Sequence, residues 1–213
     1  MTRSIAEQSV AELGGPRSVF VRQRNDHAQL DRFLHELDGT TGTAQDQVLR
    51  KINRLVFSHA FAEETVLWPV IRRVLPDGEA LTLQVEEEHQ QVNELVTRLE
   101  TLPHGTEERA QVLARLVEVL REDVRDEEDV MFPRLQQALD APALRRLGWQ
   151  WEVARQVSPT RPHPTVSRRP PGNAASGLPL SALDRGRDVL DAVAERAPGR
   201  ASAQRPIRAG RVV

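Results

Sequence analysis

The chain has 213 residues, with 29 Lys and Arg against 31 Asp and Glu, so it allows one domain with a long tail or two small domains. It contains no cysteine, which excludes disulfides, iron–sulfur clusters and thiolate metal sites, and no tyrosine, which excludes a tyrosyl radical relay. The charge is uneven, because residues 1–140 have 16 basic and 26 acidic side chains whereas residues 141–213 have 13 and 5.

Two amphipathic helices are predicted in the first part of the chain. Apolar residues recur with helical spacing over 20–37, and an Asp-Gly pair ends this helix. After a polar loop at 40–45, a longer periodic stretch runs through 46–75 and is stopped by Pro-Asp-Gly. The apolar stripe of this second helix is expected to include Val66 and Val70.

Two further helices follow after short turns. The third is predicted at 79–102 and ends at Pro-His-Gly, and the fourth is predicted at 106–139. Its stripe is expected to include Val130, and the two glutamates in its first turn are well placed for the helix dipole.

Four amphipathic helices joined by short connections predict an all-α protein. We expect an antiparallel up-and-down four-helix bundle at 15–140, since no segment has the pattern of a strand. Residues 141–213 contain nine of the 14 prolines and read as a Pro/Arg-rich C-terminal extension that is largely irregular. Short helices are predicted within it at 144–157 and 181–196. Nucleic-acid binding is not expected, because no recognition motif accompanies the arginines.

The second and fourth helices contain an internal repeat. Segment 58–69 matches segment 122–133 at an offset of 64 residues, and His27 matches His89 at an offset of 62. The bundle is therefore expected to consist of two related helix pairs, with a site between them of approximate two-fold symmetry. The identical pairs in the longer match are Glu63 and Glu127, Glu64 and Glu128, Val66 and Val130, and Pro69 and Pro133.

Every predicted helix places an ionisable side chain on its own apolar face. Burying unpaired carboxylates costs several kcal/mol each, and the four stripes contain no Lys and only Arg24 near a margin. A pair of divalent cations would supply the missing positive charge. Imidazole and carboxylate ligands without sulfur suit iron or manganese. The candidate metal ligands are His27, His59, Glu63, His89, Asp123 and Glu127.

These residues resemble the motif of the hemerythrin HHE cation-binding family. That motif has a His on the first and third helices and His-x-x-x-Glu on the second and fourth, each followed by an apolar-aromatic-Pro step. The chain matches it with His27, with His59-x-x-x-Glu63 before Val-Leu-Trp-Pro, with His89, and with Glu127 before Val-Met-Phe-Pro. The resemblance covers about residues 15–140. A Pro/Arg-rich extension is also found in bacterial members.

The chain departs from the family pattern at Asp123, where the family usually has its fourth-helix His. If Asp123 binds metal, the added negative charge favours the ferric state and lowers the reduction potential. If it cannot reach the metal, one iron has an extra open position or a water, and if Asp123 is solvated instead, the site is impaired.

The resemblance implies a non-haem diiron centre, with manganese less favoured, in which Glu63 and Glu127 bridge the metals and the histidines are terminal ligands. It implies binding of oxygen, nitric oxide or peroxide for sensing, storage or detoxification. Two alternatives stay open: an enzyme that turns over peroxide, as a catalase does, or nitric oxide, and an interaction protein with an impaired metal site.

Several neighbouring polar residues are expected to lie outside the site. Asp31 is expected on the surface, His35 is expected to point outward, and Asn93 is expected to be structural or to support a ligand. The prolines of the two Pro steps are expected to kink the helices. A solvated face is predicted for Glu64, Glu86, Glu87 and Glu128.

A cytoplasmic location is predicted, without a membrane partner. The first residues lack the apolar core of a signal peptide, and the longest uncharged apolar stretch, at about 65–71, is far too short to cross a bilayer.

Overall fold

The computed structural model describes residues 3–158, and all regular structure within them is helical. The rest of the C-terminal extension, including the helix predicted at 181–196, lies outside the described residues. A short 3₁₀ turn at Ile5–Glu7 precedes the longer elements. The α-helices are α1 (Val19–Leu37), α2 (Gly42–Ala62), α3 (Trp68–Val74), α4 (Gly78–Thr101), α5 (Glu107–Arg125), α6 (Phe132–Ala138) and α7 (Ala141–Gln156).

The predicted four-helix bundle is confirmed. One π turn, Glu63–Leu67, joins α2 to α3, and a second, Asp126–Met131, joins α5 to α6, so that each of these pairs forms one continuous long helix. These two long helices pack with α1 and α4 as the four helices of the bundle. The second helix begins at Gly42, so the prediction of a loop throughout 40–45 was wrong, because the exposed first turn of α2 has no apolar periodicity to reveal it.

The two π turns are explained by the prolines that follow them. A proline inside an α-helix lacks the N–H donor and its ring collides with the carbonyl four residues earlier. Here the Trp68 and Phe132 N–H groups donate to the carbonyls of Glu63 and Glu127, five residues back, which widens the turn before each proline. Each proline then stands in the first turn of α3 or α6, where no N–H is needed.

Each π turn shifts the buried stripe by one residue. Val66 and Val70 are only partly buried, and Val130 is 46% exposed, so the prediction that Val130 belongs to the core was wrong. A period of 3.6 residues was assumed across the turn, and the extra residue breaks it. The fully buried residues are instead Leu67, Trp68, Ile71, Met131, Phe132 and Leu135.

The apolar core is divided into two clusters. One cluster surrounds Phe20, Trp68 and Phe132 at the end of the bundle that holds the Pro steps. The other surrounds Ile52 and Leu116 at the opposite end. The ionisable residues singled out by the sequence come from the stretch of the bundle between these two clusters.

The helix predicted at 144–157 is present as α7, and it packs against α1 and α2. Its buried residues include Leu144, Leu147 and Trp151, whereas Trp149 is exposed. We retain 15–140 as the proposed bundle domain, with α7 covering one side of it. Within residues 3–158, no helix combines the length and the apolarity that a membrane crossing requires.

The contact between α7 and α1 depends on Gly148. A Cβ atom at this position would lie 2.1 Å from the Arg17 carbonyl oxygen and 3.0 Å from the Val19 nitrogen. Gly148→Ala is therefore expected to lower stability by about 1–3 kcal/mol through overpacking. In an unobstructed helix the same change stabilises by roughly 0.5–1 kcal/mol.

Thermal melts followed by circular dichroism test this expectation. Each kcal/mol corresponds to about 2–4 °C in Tm for a chain of this size. Gln150→Ala, at an exposed position of the same helix, serves as the control and should be nearly neutral. A Gly148→Ala protein that melts at or above the wild-type temperature would contradict the close approach.

Candidate metal centre

The six candidate ligands all lie in the interior of the bundle. Their exposed fractions range from 0% for Glu63 and Glu127 to 8% for His59. Helices α1 and α4 position the first and third histidines, while α2 and α5 position the other residues with the help of the π turns. Burial of this many ionisable groups in one small volume requires either strong internal pairing or a bound cation.

Five of the six side chains form two groups with the spacing of metal ligands. Within each group, one donor atom per residue lies within 4.8 Å of the others. The first group contains His27, His59 and Glu127, and the second contains Glu63, His89 and Glu127. Glu127 belongs to both groups, as a carboxylate between two ions would.

The Nε2 atoms of the three histidines face one another and the carboxylates at the centre of the site. His27 Nε2 is 3.2 Å from His59 Nε2 and 3.1 Å from Glu127 Oε2. Glu63 lies between His59 and His89, with Oε1 3.2 Å from His59 Nε2 and Oε2 3.5 Å from His89 Nε2. Three imidazole nitrogens and two carboxylates therefore face one another across the bundle.

Asp123 lies beside these groups and belongs to neither of them. Its Oδ1 atom is 3.7 Å from His89 Nε2, and it has no hydrogen-bond partner within residues 3–158. Asp123 thus faces the His89 side of the site, at the place that corresponds by the internal repeat to His59 on the other side.

The Nδ1 atom of each of the three histidines is paired with a carboxylate outside the central groups. A carboxylate that accepts the Nδ1–H bond fixes the orientation and tautomer of the ring, so that the Nε2 lone pair points to the centre. This carboxylate–histidine pairing is typical of metal-ligating histidines. The pairs are His27 with Glu128 at 2.8 Å, His59 with Asp26 at 3.1 Å, and His89 with Glu64 at 2.9 Å.

Comparison with known proteins agrees with this geometry. A family model of the hemerythrin HHE cation-binding domain matches residues 18–135, more than half of the chain. The chain belongs to the hemerythrin HHE family. An uncharacterised hemerythrin-like protein of Schizosaccharomyces pombe is 25% identical over 170 residues, which cover 78% of this chain and 83% of the relative. No solved structure matches the chain significantly.

Three glutamates of this hemerythrin domain were wrongly predicted to lie on a solvated face. Glu64 is 2% exposed, and the Glu128 side chain is 12% exposed, because each follows a site glutamate in a π turn that directs two successive side chains inward. Glu86 is also buried, and it accepts a hydrogen bond from Arg72 at 2.6 Å. Glu87 is exposed, as predicted.

The sequence interpretation also missed Asp26 and Gln23, both on α1. Gln23 is fully buried and donates from Nε2 to Glu63 Oε1 at 2.8 Å. Asp26 is buried beside His59. Helical spacing could have found both, since Gln23 precedes Leu30 by seven residues and Asp26 precedes it by four.

The remaining polar residues lie as expected or apart from the site. Asp31 and His35 are both well exposed, with Oδ1 and Nδ1 3.3 Å apart on the surface of α1. Asn93 is buried one turn after His89. His104 lies in the turn before α5, with Nε2 3.1 Å from an oxygen of Asp46.

The charges within the hemerythrin site are strongly perturbed. Burial, reinforced by the neighbouring carboxylates of Glu63 and Asp123, raises the pKa of Glu127 well above its usual range. Burial alone would also raise the pKa of Glu63, but His59 outweighs it and lowers that pKa to about 2. Burial opposes protonation of His59, yet Glu63 and Asp26 together raise its pKa to about 10.

The side chains present fit a metal ion. Glu63 Oε2, Asp123 Oδ1 and both oxygens of Glu127 are buried without a hydrogen-bond partner among residues 3–158. Buried carboxyl oxygens without a hydrogen bond are costly in an apolar interior unless a cation binds them. The donor set of imidazole nitrogens and carboxylate oxygens is the one that iron and manganese accept.

Proposed function

We propose that this hemerythrin-family protein holds a pair of non-haem iron ions and binds oxygen, nitric oxide or peroxide, as a sensor, a store or a detoxifying protein. The observation that supports the proposal is the convergence of three imidazole Nε2 atoms on two buried carboxylates. Each imidazole is oriented by a carboxylate on its far side. The proposed ligands are His27, His59, Glu63, His89, Asp123 and Glu127.

The distances support separate roles for the carboxylates and the histidines as metal ligands. Glu63 lies between His59 and His89, and Glu127 belongs to both ligand groups, so these two carboxylates would bridge the ions. The histidines would be terminal ligands. Bound iron would supply an open coordination position and a change of oxidation state. Manganese accepts the same donors and is the less favoured metal. A cytoplasmic location remains a prediction.

Metal analysis of the purified protein tests the proposal. After anaerobic loading with ferrous iron and desalting, wild-type protein should retain about two irons per chain, as dinuclear carboxylate bundles do. His59→Ala should lose a clear part of this iron, because it removes one of the imidazole nitrogens that face the centre. The control is His35→Ala, whose ring is 70% exposed and which should retain the full amount. Wild-type protein that retains no iron would refute the proposal.

Two further measurements distinguish a binding protein from the two alternative functions. Oxygen evolution from peroxide, or consumption of nitric oxide, by the iron-loaded protein would identify an enzyme. Equal melting temperatures for metal-free and iron-loaded protein would indicate an interaction protein with an impaired site, because a ligand bound only by the native state must raise the melting temperature.

A further inference from the structure

The metal centre receives side chains from α7, which lies beyond the residues that the family model matches. Trp151 is fully buried, and its ring meets the His59 ring edge-on at a centroid distance of 5.0 Å. One turn later, Arg155 points to the same region. This helix belongs to the part of the chain that the sequence predicted to be an extension of the bundle.

Arg155 is bound to the carboxylate that orients His59. Its Nη1 atom lies 3.0 Å from Asp26 Oδ1 and 2.9 Å from Asp26 Oδ2. Asp26 Oδ2 is in turn 3.1 Å from His59 Nδ1. The arginine, the aspartate and the histidine therefore form a continuous polar chain from α7 to the centre of the bundle.

This chain restrains the orientation of the His59 ring. A lone carboxylate can rotate about its Cβ–Cγ bond and turn its oxygen away from Nδ1. An arginine that binds both carboxylate oxygens removes that freedom through charge-assisted hydrogen bonds. The Nη2 atom of Arg155 also lies 3.5 Å from Ser58 Oγ, beside His59 on α2, which limits the movement of the guanidinium itself.

We propose that Arg155 is a positioning residue of the metal centre, which holds Asp26 in place and through it the ring of His59. The inference rests on the proposed function, and it extends the working centre to α7. Trp151 covers the same ring and excludes water from it. Consequently, α7 sets the iron affinity on the side of the centre formed by His27 and His59.

The internal repeat limits this effect to one side. By the offsets of 62 and 64 residues, the counterparts of Asp26 and His59 are Glu88 and Asp123. Both are carboxylates, so the Asp26–His59 pair that Arg155 supports has no counterpart on the His89 side, where Glu64 pairs with His89 without an arginine from α7. Loss of Arg155 should therefore weaken the binding of one of the two ions and leave the binding of the other unchanged.

Iron release from the full-length protein to a ferrous chelator tests the proposal. The Arg155→Met protein should release one of its two irons about tenfold faster, or bind it about tenfold more weakly. A factor of about ten is the low end of the loss in metal affinity when an outer hydrogen-bond partner of a ligand is removed. Arg155→Lys keeps the charge, but its single nitrogen replaces two that contact Asp26 and Ser58 separately, so it should fall between Arg155→Met and wild type. Arg146→Met, which removes an exposed arginine from the same helix, is the control and should behave as wild type.

A double-mutant cycle separates positioning from simple docking of α7. If Arg155 acts through Asp26, Arg155→Met adds nothing to the iron release of Asp26→Asn. If it only fastens the helix, the two effects add, and the proposal is overturned. Melts of the metal-free variants report the docking contribution separately.

The outcomes distinguish this inference from the proposed function. Wild-type protein that binds no iron would refute the proposed function itself. Wild-type protein with two irons and an Arg155→Met variant that releases them at the wild-type rate would overturn only the role of Arg155.

Discussion

Glu127→Gln is expected to abolish iron binding while raising the melting temperature of the metal-free protein. Glu127 is fully buried, and although Oε2 lies 3.1 Å from His27 Nε2, neither carboxyl oxygen has a hydrogen bond within residues 3–158. Burial and the charge of Glu63 raise its pKa, so without metal the folded state must either bury a repelled charge or take up a proton. Glutamine removes that cost, and its amide can donate to the Glu63 carboxylate.

The expected gain in metal-free stability is about 1–3 kcal/mol, the usual desolvation cost of an unsatisfied buried group. At about 2–4 °C per kcal/mol it is visible in a melt at pH 7. The same substitution removes the ligand shared by both groups, so iron content should fall to background. Opposite signs in the two measurements distinguish a metal ligand from a structural glutamate.

Glu87→Gln provides a matched control, since it makes the same chemical change at an exposed position of α4. It should leave both the metal-free melting temperature and the iron content unchanged. A Glu127→Gln protein that melts below wild type in the metal-free state would mean that the carboxylate stabilises the fold. In that case the electrostatic argument for a cation at this position fails.

The bundle was predictable from sequence because most of each long helix keeps the 3.6-residue period. Val92 and Leu99 on α4 and Leu116 on α5 are buried where the 3.6-residue pattern places them. The pattern of buried apolar residues failed at the two π turns, where the backbone leaves the α-helical period. Pro69 and Pro133 are the sequence signal of that departure, because a proline within a helical pattern disrupts the α-helical turn before it.

The innermost part of the site was predictable for the same reason, and its surroundings were not. His27 and His89 lie on apolar stripes that the sequence displays, so spacing alone points to them. Glu64 and Glu128 reach their histidines only because of the π turns. Arg155 comes from a separate helix that packs across the bundle, and no local period connects it to Asp26.

Asp123→Asn is expected to raise the reduction potential of the iron centre. Asp123 Oδ1 is buried 3.7 Å from His89 Nε2 without a hydrogen-bond partner among the described residues, within reach of an ion bound there. Two unit charges 4 Å apart interact by about 4 kcal/mol at the effective dielectric of a protein. The asparagine amide still offers an oxygen, so the change should be less than that full interaction.

The expected shift is on the order of 100 mV, since about 1.4 kcal/mol corresponds to 59 mV for a one-electron couple. Potentiometric titration of iron-loaded wild-type and Asp123→Asn protein measures it directly. Asp129→Asn removes an exposed charge from the second π turn and should shift the potential far less, because solvent screens it. If Asp123→Asn and Asp129→Asn give the same potential and the same iron content, Asp123 is not a ligand. The centre would then be held by the three histidines and two glutamates alone, with one more open position on the His89 side.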